Sequence, residues 1–206
     1  MISWSDTGIV LSAHRHGEKY KIVNVFTKSH GNVHAMASYT KNSTFSVFSD
    51  VDIDYSSKDA NSLGFWKLKS EKQNWVLSMN SEKHLLVCQG LCFLLNRLLP
   101  QGVAHPRLFE FTRYISANMQ KFSGKDILLL YAYFEFSLLE DIGFSLDNVD
   151  LQSVPKLDDF EKLPGILNSE SVCSNARKFL HTAGKIIEQN LLSIDNCYRS
   201  AISQMI

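Results

Sequence analysis

Among the cations of the first seventy residues, Arg15, Lys19, Lys28, Lys41, Lys67 and Lys69 stand with the aromatic side chains Tyr39 and Phe65 as candidates for one shared surface. Interleaved cations and rings suit one chemistry in particular: guest bases stack on the π-faces while the charged groups follow phosphates. Period-two alternation along Leu63 to Lys69 sets Trp66 and Leu68 on one side of a strand and Phe65, Lys67 and Lys69 on the other. Between Val10 and Phe48, Arg15, Lys19, Lys21, Lys28 and Lys41 are opposed by Glu18 alone, a local charge of +4. The whole chain of 206 residues is neutral, with 21 basic and 21 acidic side chains, so a polyanion would depend on this local concentration. The plain alternative is a set of solvated lysines.

Other chemistries fit less well. His84, Cys88 and Cys92 recur at four-residue steps, but eight helical residues span about 12 Å, too far for three ligands on one ion. Cys88 and Cys92 read as core residues. His14 and His16 project to one side of a strand without a third ligand at metal spacing, which leaves surface imidazoles. Asp50, Asp52 and Asp54 alternate like a strand face; a polar edge that discourages pairing is favoured over a magnesium site. Glu135, a charge inside an apolar helix, calls for an arginine or helix-end partner in a structural role. Neither a G-x-x-x-x-G-K-[ST] loop nor a G-x-S-x-G elbow occurs, and Gly143-Phe144-Ser145-Leu146-Asp147 only imitates the start of the latter. The expectation is a protein with no catalytic step, cofactor or metal.

The elements that must position these residues follow from periodicity. Ile9-Val10-Leu11, Ile22 to Phe26 and Val33 to Ala37 are short strand runs punctuated by Gly17 and Gly31. A polar, acidic stretch from Lys41 to Lys58 precedes the Leu63 to Lys69 strand, and Asn74 to Leu77 reads as the last one. Such a meander is expected to close into a small barrel. From Ser81 the pattern becomes helical, with Leu85, Leu86, Leu91, Leu94, Leu95, Leu98 and Leu99 before Pro100. Pro106 opens a second helix, Gly124 breaks it, and Asp126 to Ile142 forms a third that is apolar nearly all round, ending at Gly143. An acidic connector to Gly165 and a final helical pair, 170–192 and 194–204, complete the chain. The fold class is α+β, with a barrel over residues 1–80 and a helical domain over 81–206. Four scattered cysteines suit a reducing compartment, and the N-terminus lacks a secretory signal, so a cytoplasmic location is expected.

The segment Gly8-Ile9-Val10-Leu11, the Gly17-Glu18 pair, Val25-Phe26-Thr27 and His30-Gly31 together resemble the opening of RecO, the bacterial recombination mediators of DNA repair. Leu94-Leu95-Asn96-Arg97-Leu98-Leu99-Pro100, His105-Pro106-Arg107-Leu108-Phe109 and the helix end Tyr133 to Asp147 continue the likeness in the same order. The resemblance implies an N-terminal oligonucleotide-binding (OB) fold and a helical C-terminal part. It also implies binding of single-stranded DNA, partnership with RecR and the single-strand-binding protein, help in recombinase loading and strand annealing, and a nucleoid-associated place in the cytoplasm. Three departures stand out. Ser38-Tyr39-Thr40-Lys41 replaces a basic, glycine-containing segment. Ala132-Tyr133 stands where some relatives have arginine near the pocket for the single-strand-binding protein, leaving Arg107 or Arg113 as substitutes. The paired C-x-x-C zinc motif is missing, with Cys173 alone in that region. A protein-only adaptor that keeps the barrel without useful DNA affinity is the rival reading.

Overall fold

Gly17 and Gly31 both adopt φ of +67°, a backbone that favours glycine, and each turns the chain between strands rich in β-branched and aromatic residues. The computed structural model describes residues 1–38, 45–73 and 81–144, with isolated positions between 180 and 205. Tyr39, Lys41, the strand expected at Asn74 to Leu77, the acidic connector beyond Phe144 and nearly all of the final helical pair lie outside the described residues.

Five strands among the described residues, β1 (Ile2–His16), β2 (Tyr20–Thr27), β3 (Gly31–Ser38), β4 (Asp50–Ser57) and β5 (Gly64–Lys72), close into a barrel in the order β1-β2-β3-β5-β4. The expected barrel is present. Closure depends on the length of β1. Its first half pairs with β4, from Ile2 opposite Ser57 to Ile9 opposite Asp50, and its second half pairs with β2, from Gly8 opposite Thr27 to His16 opposite Tyr20. A register shift between Val10 and Ser12 bends the strand from one neighbour to the other. β3 and β5 pair in parallel over Ala35 to Ala37; the other pairs are antiparallel.

Two expectations for the strands need correcting. The first strand begins at Ile2 instead of Ile9. The aspartates 50, 52 and 54 do not form an edge, because β4 is paired with β1 on one side and β5 on the other. Alternation explains their place: Val51 and Ile53 enter the core while the aspartates face outward. That core joins Val10, Val23, Val25, Ala35, Ala37, Val51, Ile53 and Trp66, and the Trp66 indole donates to the Val23 carbonyl at 3.1 Å.

The helices are α1 (Glu82–Leu98), α2 (Pro106–Asn118) and α3 (Gly124–Asp141). The break expected at Gly124 falls just before it, at Phe122 and Ser123, and Gly124 begins α3 two residues ahead of the expected Asp126. Ser123 caps it: its hydroxyl accepts from the Asp126 amide while the Asp126 carboxylate accepts from the Ser123 amide, both at 3.2 Å. Every residue of α3 from Ile127 to Leu139 is buried, Glu135 included. Gly143 follows at φ +93°. None of the described helices is long and apolar enough to cross a membrane.

Internal contacts divide the chain into Met1–Val76 with Cys92–Phe109, and Leu77–Leu91 with Glu110–Ile206. The boundary expected near Asn80 therefore differs from this grouping in one respect: residues 92–109 go with the barrel. In the second group His84 bridges the Ser81 hydroxyl at 2.6 Å and the Phe122 carbonyl at 3.1 Å, and Phe111 packs near Phe134. Burial pushes the Cys88 thiol up to about 12, which suits a core residue.

Candidate nucleic-acid interface

Strand register decides which outward side chains become neighbours. His14, Ile22, Met36 and Phe65 align across β1, β2, β3 and β5; His16, Tyr20 and Ser38 form the next row, and Lys67 follows Phe65 on the same face of β5. Tyr20 and Phe65 are 39% and 43% exposed, far above the buried aromatic core, and meet edge to face with centroids 6.0 Å apart. Ile22 and Met36 lie half-buried beneath them, and His14, His16, Ser38 and Lys67 are exposed.

The other half of the β2–β3 surface is covered. Asn24 hydrogen-bonds Asn96 through its side-chain amide, Asn32 donates to the Leu95 carbonyl at 3.3 Å, and Phe26 packs edge to face on Phe109 at 5.5 Å. At Gly31 a Cβ would stand 1.9 Å from the Val103 carbonyl oxygen, so only glycine permits this approach. Residues 92–109 thus close one end of the face and leave the other open. His34 sits opposite Asn24 at the transition, and burial holds its imidazole below the usual histidine range.

Two loops frame the open end. In the β1–β2 turn, the Arg15 Nε donates to the Gly17 carbonyl at 3.0 Å. In the β4–β5 loop, the Asp59 carboxylate accepts from the Asn61 amide at 3.0 Å and the Ser62 hydroxyl at 2.8 Å. Those bonds hold the Asp59 carboxyl below the usual carboxylate range and brace the approach to Phe65.

The cations expected to act together are distributed unequally. Lys19 in the turn and Lys67 on β5 belong to the open end with Phe65. Arg15 pairs across the strands with Lys21, on the barrel-mouth side of the sheet. Lys21 is 8% exposed with its ammonium 5.8 Å from the Phe45 ring centroid; burial lowers its pKa, opposed by the Glu71 charge. Lys28 follows β2 at its far end, nine residues from Lys19 and about 30 Å away along the strand. The Lys69 ammonium lies 2.5 Å from Asp54 and donates to the Ser5 hydroxyl at 3.3 Å, so its charge is offset locally. The Lys69 and Ser5 hydrogen bonds hold the Asp54 carboxyl below its ordinary value. Arg107 and Arg113 are exposed on α2, six residues and so about 120° apart around the helix. Among the described residues, no three His, Cys, Asp or Glu side chains converge on a possible metal site. Tyr20 was missed by sequence reasoning; its signal was its place between Lys19 and Lys21, on the outward parity of Ile22.

A closed five-stranded barrel with strand order β1-β2-β3-β5-β4, aromatic residues open beside its β1–β2 and β4–β5 loops, and helices after it defines a protein of the OB type. Residues 1–68 match the family model described as recombination protein O N terminal. These residues are thus similar to the N-terminal domain of the RecO family. It is 30% identical to the DNA repair protein RecO of Ruegeria sp. (strain TM1040) over 152 residues, 71% of this chain and 61% of that protein. The DNA repair protein RecO of Chelativorans sp. (strain BNC1) is 31% identical over 150 residues, 71% and 59% of the two chains; that of Rhodospirillum centenum is 28% identical over 150 residues, with the same coverage. The chain thus covers about three fifths of the length of these relatives.

Proposed function

We propose that this chain is a non-catalytic mediator of recombinational DNA repair that lays single-stranded DNA across the open end of its β1–β2–β3–β5 surface. In this reading it works with RecR and the single-strand-binding protein, assists recombinase loading and strand annealing, and acts in the cytoplasm at the nucleoid. The observation that carries it is the exposed Tyr20–Phe65 pair beside Lys19 and Lys67. Two exposed rings that meet edge to face on a packed sheet offer bases a sequence-tolerant platform, and phosphates can follow the cations at its margin. The names of the relatives support the repair setting.

Fluorescence anisotropy with an oligothymidylate across a salt series tests this. With about three to five phosphate contacts the log–log slope is near −2 to −3.5. Tyr20→Ala and Phe65→Ala should each weaken binding by about 1–3 kcal/mol, roughly 5- to 150-fold. Absence of wild-type binding at low salt, or two variants that bind like wild type, would overturn the reading. The neutral chain and the Lys69–Asp54 pair favour the adaptor as second reading; retention of RecR or single-strand-binding-protein binding without any DNA affinity would select it.

A further inference from the structure

We propose that His14 and His16 form a proton-dependent phosphate contact for single-stranded DNA, making the open end of the barrel bind with more charge contacts at pH 5.5 than at pH 8. This rests on the DNA-binding reading above and assigns a regulation to the same surface. Both imidazoles are exposed and share the outward face of β1, each directly across the ladder from a residue of the platform: His14 from Ile22, His16 from Tyr20. They are two residues apart, about 7 Å along the strand, a step that neighbouring phosphates of an extended strand can match. The surface they border holds few permanent cations, since Lys69 is tied to Asp54, Lys28 lies at the opposite end of β2 and Lys21 faces the barrel mouth. Imidazole is the side chain whose charge changes within the pH range that leaves lysines and carboxylates alone.

The charged and titratable groups around the pair are few among the described residues. Tyr20 stands opposite His16. Glu18 and Lys19 occupy the adjoining turn, and Arg15 lies between the two histidines with its side chain on the other side of the sheet, opposite Lys21. β4 pairs with β1 only as far as Ile9, so its aspartates do not flank the histidines across the ladder. The third imidazole of the face, His34, is kept neutral further down the pH scale by burial, so the added contacts come from His14 and His16.

Oligothymidylate titrations over a salt series at pH 8.0 and pH 5.5, on the wild type and a His14→Gln/His16→Gln double variant, test the proposal. For the wild type, two added contacts steepen the slope at pH 5.5 by about 1.4. The double variant should lose most of that steepening. Wild-type binding with the same slope at both pH values overturns this proposal and leaves the DNA-binding reading standing, as does steepening that persists in the double variant. No binding at either pH removes both.

Discussion

Asp6 shows how one carboxylate can hold a turn that the strand pattern alone leaves loose. Its side chain is 6% exposed and accepts from the Thr7 and Ser29 amides at 2.9 Å, with the His30 Nδ1 also at 2.9 Å. The His30 ring in turn stacks on Trp4 at 3.7 Å, and Trp4 stacks on Tyr55 at 4.7 Å, at one end of the barrel. Asp6→Ala removes the acceptor and orphans its donors, so it should lower stability by about 1–3 kcal/mol, read from urea midpoints with tryptophan fluorescence. A midpoint equal to wild type would mean the turn is held by its backbone alone. Charge at the interface is also decided residue by residue. Lys67→Ala should flatten the salt slope of DNA binding by about 0.7, whereas Lys69→Ala should leave it nearly unchanged, because Lys69 already faces Asp54. The reverse result would place the DNA on the β4–β5 side.

At the scale of elements, the difference between Lys67 and Lys69 explains what the sequence can and cannot tell. Alternation alone separated Trp66, 5% exposed, from Phe65, 43% exposed, because side chains of a strand must take opposite faces. The helix starts at Ser81 and Pro106 were equally legible, since caps and prolines act locally. Register is not local. The Lys69–Asp54 pair depends on β4 lying beside β5 with a shift between Asp52 and Ile53, and the Tyr20–Phe65 contact joins residues brought together by a parallel β3–β5 pairing of three residues. β1 before Ile9 escaped detection for the same reason: Ser3, Trp4, Ser5 and Asp6 lack a strand's composition and are held extended by β4. The start of α3 makes a local claim that can be tested. Ser123→Ala removes the hydroxyl that accepts from the Asp126 amide, leaving the residue 123 amide to donate to the Asp126 carboxylate, and should cost about 0.5–2 kcal/mol in chemical unfolding, while Ser123→Asp should recover most of it.

For the whole molecule, the telling fact is that the barrel does not end where its strands do. Residues 92–109 share its contacts, and through them half of the β2–β3 face is sealed while the half bearing Tyr20 and Phe65 stays open. Phe109 is the apolar centre of that seal, 1% exposed, against Phe26, 0% exposed. Truncating a buried phenylalanine of this kind costs about 3–5 kcal/mol through lost transfer energy and the cavity left behind. Phe109→Ala should therefore raise amide hydrogen exchange most at Phe26 and Asn32 and their neighbours on β2 and β3, because the cavity opens directly onto those strands. The β4–β5 pairing should respond less. Were the strands before residue 80 a self-sufficient domain, as the sequence boundary implies, the same variant would leave β2 and β3 as protected as in wild type and loosen only the helices. Exchange measured strand by strand decides between the two, and with it whether the open end owes its limits to the barrel itself or to the helical segment laid across the other half.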